Sequence, residues 1–161
     1  MIREAARASA RWVLTGLLAL VVSGCGGNPV DPTFPESTAY AGSLGIDLTQ
    51  MIRKTSGVYY QTRTAGTGAG VDSTTRVSGD LKGWTPDGVQ FTSLRLTAQA
   101  VSGLLPGLED GMIGMQKGEI RVMVLPSHLG YGARPPEGSG VPPNSVLVFE
   151  MKLNELSLPP G

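Results

Sequence analysis

The C-terminal third of the chain alternates apolar and polar residues on both sides of a long loop. Residues 119–125 and 145–153 each alternate with a period of two, which predicts a pair of β-strands. Residues 107–115 instead carry apolar side chains three or four positions apart, which is typical of one face of a short helix. The loop between the strands, residues 126–144, is rich in Pro and Gly, and its length favours a functional role.

Alternating segments also precede this region. Further strands are predicted at residues 57–64, 74–81 and 89–96, and the last continues its alternation to residue 100. A short edge strand is predicted within residues 40–47, with Asp47 as the N-cap of one or two helical turns. The glycine-rich residues 65–70 predict a flexible turn. Together these elements predict an α+β fold, in which an antiparallel sheet of five or six strands carries one short helix on one face.

The first residues read as an export signal and not as part of this fold. A basic segment precedes the apolar residues 12–22, which are too few to span a bilayer comfortably. Val22-Ser23-Gly24 then leads into Cys25, the single cysteine, and this arrangement resembles the lipobox of bacterial lipoproteins. The resemblance implies cleavage before Cys25, acylation of that residue and a lipid anchor in the membrane. An ordinary cleaved signal peptide with a chance cysteine is the alternative.

Composition limits the remaining possibilities. The formal net charge is zero, and no basic patch with interleaved aromatic residues is evident, so no nucleic-acid partner is expected. No cluster of Cys, His and carboxylates indicates a metal site, and we expect neither a metal nor a cofactor. The length of 161 residues is that of one folded domain, which we expect to be monomeric.

Ordered motifs from about residue 57 to residue 156 resemble the FKBP-type peptidyl-prolyl cis-trans isomerases. Each motif is weak alone, and their order and spacing carry the resemblance. They include Gly66-Thr67-Gly68, Gly83-Trp84, Leu105-Pro106-Gly107-Leu108, Leu129-Gly130-Tyr131-Gly132, Val141-Pro142-Pro143-Asn144 and Leu147-Val148-Phe149-Glu150. The family implies a twisted antiparallel sheet wrapped around one short helix, with a shallow apolar cleft between the two. It also implies proline-containing unfolded or envelope polypeptides as substrates.

The resemblance carries specific residues into that cleft. It implies catalytic roles for Phe91, Tyr131 and Phe149. Substrate-binding positions are implied at Leu81, Leu104, Leu105, Leu108 and Val141. Within this set the Leu105 backbone N–H and the Tyr131 hydroxyl correspond to the two groups that bond ligand carbonyls.

Three cleft positions depart from the family pattern. Leu81 replaces a tyrosine, Thr92 an aspartate and Leu108 a frequent tryptophan, which leaves the cleft apolar but less aromatic and lacking a carboxylate. Two functions therefore stay open: a weak isomerase that assists folding in the cell envelope, and a non-catalytic FKBP-like peptide-binding or chaperone lipoprotein.

These features divide the chain into four parts. We expect a signal peptide (residues 1–24), a lipidated cysteine with a flexible tether (25–38), an N-terminal extension (39–56) and an FKBP-type domain (57–157). The predicted location is the cell envelope, with the anchor in the outer membrane, facing the periplasm, if the source is Gram-negative.

Overall fold

The computed structural model describes residues 31–157 and has the predicted α+β architecture. Its helix α1 spans Pro106–Met112. The strands are β1 (Ile52–Arg53), β2 (Tyr59–Thr64), β3 (Thr67–Gly70), β4 (Arg76–Trp84), β5 (Gln90–Ala100), β6 (Gln116–Lys117), β7 (Ile120–Leu125) and β8 (Leu147–Ser157). Short 3₁₀ helices lie at Pro35–Ser37, Gly42–Leu44, Leu48–Gln50, Val101–Gly103 and Ser127–Leu129. The predicted signal peptide and Cys25 lie outside the described residues.

Six strands form the main sheet, in the order β1-β2-β7-β8-β4-β5, and every adjacent pair is antiparallel. The alternation read from the sequence separates its two faces. On β7, for example, Met123 belongs to the larger core cluster, whereas Val122 and Val124 belong to a second cluster on the opposite face. We call the side that carries Met123 and α1 the helix face, and the other side the outer face. No helix within residues 31–157 is long and apolar enough to cross a membrane.

Residues 33–51, which we call the N-terminal arm, cover part of the outer face. Apolar side chains of the arm pack against the second core cluster, namely Tyr40, Leu44, Ile46, Leu48 and Met51. The predicted edge strand at residues 40–47 is wrong. The Gly42–Leu44 turn ends at Gly45, whose φ of 59° is left-handed and interrupts an extended chain. Asp47 does cap the next turn, since its side chain accepts the Thr49 N–H at 3.0 Å.

The composition of residues 33–38 placed them in the flexible tether, but in the structure they contact the folded domain. The Glu36 carboxylate accepts hydrogen bonds from Arg53 Nε at 3.0 Å and from the Tyr59 hydroxyl at 2.8 Å. The Tyr40 hydroxyl donates to the Pro35 carbonyl at 3.0 Å. Proline-rich composition predicts poor helix and strand formation, but it does not exclude packing against a preformed sheet.

The glycine-rich turn predicted at residues 65–70 is also more ordered than expected. Four of these residues form β3, which pairs with β6 in a separate two-stranded sheet. Main-chain bonds continue beyond it, with the Val71 N–H donating to Met115 O at 2.8 Å. Ladder hydrogen bonds use backbone groups, so a segment without side-chain alternation can still pair.

A buried, ion-paired arginine joins β7 to the end of α1. Arg121 Nε lies 2.8 Å from Glu119 Oε1, and both side chains are less than one-tenth exposed. Arg121 Nη1 also donates to the carbonyls of Gly111 and Ile113, at 2.8 and 3.1 Å, where helical carbonyls lack intrahelical partners. Its guanidinium lies 4.6 Å from the centre of the Tyr60 ring. One side chain therefore fixes the C-terminal end of the helix on the sheet.

We expect Arg121→Leu to destabilise the protein by about 3–5 kcal/mol, because it leaves the Glu119 carboxylate buried without a counterion. Chemical denaturation measures the change. Lys117→Gln is the matched control, since Lys117 pairs with Glu155 at 2.7 Å on the surface and its loss should cost under about 1 kcal/mol. Equal losses for the two variants would contradict this role of the buried pair.

Candidate functional site

An open cleft of about 490 Å³ lies between the start of α1 and the helix face of β4, β5 and β8. The segment that enters α1 forms one wall, and strand side chains form the floor and the other wall. No charged side chain of the described residues lines it. The surroundings therefore favour an apolar occupant over an ion.

The structure brings most of the predicted site residues together at this cleft. The six that line it are Leu81, Leu104, Leu105, Leu108, Tyr131 and Phe149. Phe91 is adjacent, with its ring centre 5.6 Å from that of Phe149 and 6.2 Å from that of Tyr131, both in edge-on geometry. Val141 is buried in the same core cluster but is not among the lining residues.

Two polar groups on the cleft walls have no hydrogen-bond partner within residues 31–157. They are the backbone N–H of Leu105 and the hydroxyl of Tyr131. The Leu105 carbonyl, by contrast, accepts the Glu109 N–H at 2.9 Å as α1 begins. Two unpaired donors beside an apolar surface can bind carbonyl oxygens of a peptide whose apolar side chain enters the cleft.

Six further lining residues were not among the predicted site residues, and three of them, Leu94, Leu96 and Gln99, lie on β5 beyond Thr92. Leu94 and Leu96 follow Thr92 at intervals of two along β5, and Gln99 lies beyond them. The period of two places 92, 94 and 96 on one face, so alternation in the sequence could have identified the leucines. The sequence motifs did not identify them, because the family pattern has different residues in this segment.

A glycine in β4 allows the aromatic side chains of the site to meet. A Cβ at Gly83 would lie 2.7 Å from Phe149 Cε1 and 2.8 Å from both Phe91 Cζ and Thr92 Cγ2. The β4–β5 register also shifts at this point, between Gly83 and Trp84. The shift permits the consecutive residues Phe91 and Thr92 to approach the same position on β4.

Ionisable groups whose pKa is perturbed lie away from the cleft. Hydrogen bonds from Arg95 and then Asn154 lower the pKa of Asp80, which borders a separate polar groove. In the arm, burial raises the pKa of the Tyr40 hydroxyl well above its ordinary value. Within residues 31–157, no group of three or more His, Cys, Asp or Glu side chains is placed to hold a metal ion. The arrangement at the cleft thus offers apolar contact and two hydrogen-bond donors.

Comparison with known proteins agrees with this geometry. The family model described as FKBP-type peptidyl-prolyl cis-trans isomerase matches residues 68–154. The match covers the helix, the cleft strands up to Asn154 and the loop that carries Tyr131. The chain belongs to the FKBP-type peptidyl-prolyl cis-trans isomerase family.

Individual relatives support the same assignment. The chain is 38% identical over 119 residues to FK506-binding protein 4 of Chaetomium thermophilum, aligning 71% of this chain and 23% of the relative. It is 36% identical over 78 residues to an FK506-binding protein of Neisseria meningitidis, aligning 44% of this chain and 70% of the relative. The crystal structure of FkpA from Escherichia coli superposes with a TM-score of 0.61 at 29% identity, covering 69% of this chain and 53% of FkpA. The chain spans less than half the length of curated relatives such as the Chaetomium protein and FkpA, of which it covers 23% and 40%.

We expect Gly83→Ala to disturb the site directly, because the added methyl group must displace Phe91, Thr92 or Phe149. The cost should be roughly 1–3 kcal/mol of stability, as for other overpacked positions, with a changed near-ultraviolet circular dichroism signal from the aromatic rings. Gly42→Ala is the control, since a Cβ there would have no neighbour within 4 Å. An unchanged aromatic signal in Gly83→Ala would contradict the close packing.

Proposed function

We propose that the cleft binds an X–Pro segment of an unfolded polypeptide and catalyses its cis-trans isomerisation. The observation that carries the proposal is that two donors on the walls of the cleft, Leu105 N–H and Tyr131 OH, have no hydrogen-bond partner among residues 31–157, and that no charged side chain of those residues lines the cleft. Family membership supports the reaction class. A prolyl ring would occupy the apolar floor while the donors hold carbonyl oxygens on either side of it.

Isomerisation of an X–Pro bond is slow because the amide resonance must be broken, with a barrier of roughly 18–20 kcal/mol. Water stabilises the planar, charge-separated amide more than the twisted one. A dry cleft removes much of that stabilisation from the planar form, so the barrier falls. The reaction requires no proton transfer, nucleophile or metal, and each 1.36 kcal/mol removed gives about a tenfold acceleration.

Residue roles follow from position in the cleft. We assign catalytic contact to Phe91, Tyr131 and Phe149. The Phe91 ring packs edge-on against the other two, and the three rings would lie against the twisting amide. Four lining residues would bind the substrate side chains: Leu81, Leu104, Leu105 and Leu108. We propose that Val141 acts from behind the wall, through its packing in the core.

Turnover should depend on the Tyr131 hydroxyl. In a protease-free assay with a proline peptide, we expect the full chain to accelerate cis-trans isomerisation of the X–Pro bond. Tyr131→Phe should lower kcat/KM by about two- to tenfold, which corresponds to the loss of one hydrogen bond. Tyr40→Phe is the control, because its hydroxyl bonds to Pro35 on the arm. If the folded wild-type chain gives no acceleration but still binds the peptide, the non-catalytic FKBP-like binding lipoprotein becomes the correct description.

We further propose that Cys25 is acylated and that the domain acts at a membrane of the bacterial cell envelope as a monomer, with unfolded envelope polypeptides as clients. The lipobox-like residues before Cys25 support the anchor, and more than one acyl chain gives stable attachment. Thr33 is hydrogen-bonded to the domain at Ser127, so the chain from Cys25 to Thr33 could span at most roughly 30 Å. The domain would then work close to the membrane surface.

Replacement of Cys25 tests this anchor. We expect the wild-type protein to fractionate with membranes and to incorporate a labelled fatty acid, and Cys25→Ser to lose the label, because serine lacks the thiol that is acylated. The isomerase domain should remain folded in both. An unlabelled wild-type protein would contradict lipidation and favour an ordinary signal peptide.

A further inference from the structure

We infer that Ser127 is a positioning residue for Tyr131, and that the N-terminal arm holds Ser127 in place through Thr33. The inference rests on the proposed function of the cleft, in which the Tyr131 hydroxyl binds the substrate. In this inference the N-terminal arm influences the orientation of Tyr131, although the arm lies outside residues 68–154, which the family model matches.

Thr33 and Ser127 form two hydrogen bonds across 94 positions of sequence. The Thr33 N–H donates to Ser127 Oγ at 2.8 Å, and the Ser127 N–H donates to the Thr33 carbonyl at 3.0 Å. The next residue pair is also in contact, since the Phe34 and His128 ring centres are 5.8 Å apart. Ser127 is fully buried, so loss of its hydroxyl would leave a donor of the arm without its partner.

The carbonyl of Ser127 holds the loop on both sides of Tyr131. It accepts the N–H groups of Gly130 at 3.0 Å and of Gly132 at 2.9 Å. The Gly132 carbonyl then accepts the Asn144 N–H at 2.7 Å, which closes the loop. Because glycine has no side chain to restrict its backbone, these bonds are what determine the direction in which Tyr131 projects.

Two contacts thus connect the arm to the cleft in series. The arm fixes the main chain at Ser127, and Ser127 fixes the two peptide groups that flank Tyr131. The Tyr131 ring completes the path by packing edge-on against Phe91 at 6.2 Å. Apolar side chains of the remainder of the arm pack on the outer face against the second core cluster. Residues 33 and 34 contact the loop that carries Tyr131.

The test breaks the Thr33–Ser127 contact from each side in the full chain. Ser127→Ala removes the acceptor, and Thr33→Pro removes the N–H that donates to it. Ser78→Ala is the matched control, since its hydroxyl likewise accepts a distant backbone N–H, that of Ala98 at 2.9 Å. Each variant is measured for unfolding stability, for kcat/KM with a proline peptide, and for the signal of Tyr131 in a protein with labelled tyrosine, which has only 4 such residues.

Ser127→Ala and Thr33→Pro should each move the Tyr131 signal and lower kcat/KM by about two- to tenfold, while Ser78→Ala leaves both at wild-type values. On a Tyr131→Phe background, Ser127→Ala should cause no additional loss of kcat/KM, because the two residues act through the same hydroxyl. That non-additivity is a result that a merely structural role would not produce.

The inference is overturned if Ser127→Ala and Thr33→Pro leave the Tyr131 signal unchanged. It is equally overturned if the losses of kcat/KM from Ser127→Ala and Tyr131→Phe multiply, or if Ser78→Ala lowers activity to the same extent. The tyrosine signal is measured without turnover, so it still tests the positioning role if the wild-type chain proves inactive and the proposed function fails.

Discussion

The close approach of α1 to β7 is the constraint on which the rest of the structure depends. A Cβ at Gly107 would lie 2.5 Å from Leu125 Cγ, and one at Gly111 would lie 2.6 Å from Met123 Sδ. The two glycines are four positions apart, so they face the same strand from one side of the helix. A helix with side chains at these positions would stand farther from the sheet, and the neighbouring cleft would change its width.

The cleft follows from this packing because α1 is short and covers only part of the helix face. Arg121 holds its C-terminal end through two helical carbonyls, and Lys54 with Ser56 holds the side chain of Asp110 in its last turn. Its N-terminal end lies beside β4, β5 and β8, where no second helix of the described residues covers the apolar strands. The cleft is therefore the uncovered end of an otherwise continuous core, and catalysis would use the same side chains that stabilise the fold.

Sequence patterns predicted the parts of the molecule in which side chains repeat. β2, β7 and β8 were identified by alternation, and apolar side chains three or four positions apart indicated a helix within residues 107–115, which overlaps α1. β3 was missed because glycines leave no alternation to read, although their backbone groups pair normally. The contact of residues 33–38 with the domain was missed because a Pro-rich segment has the same composition whether it is free or packed.

In the candidate site, too, sequence patterns predicted some residues, whereas others became apparent only in the structure. The order and spacing of the chain's motifs pointed to six residues of the cleft lining, whereas Leu94 and Leu96 were identified from the structure of β5. Val141 was assigned to substrate binding by its motif, and in the structure it is buried in the core cluster and is not among the residues that line the cleft. A motif thus indicates the neighbourhood of a residue, but the direction of its side chain depends on the backbone around it.

The most direct test of the account is the position at which a proline peptide binds, followed by amide chemical shifts in the labelled protein. We predict that a saturating peptide moves the Leu105 amide downfield, as expected for a new hydrogen bond, together with signals of Tyr131 and Leu108. Shifts confined to the outer face, around Arg63 and Trp84, with the Leu105 amide unchanged would contradict it.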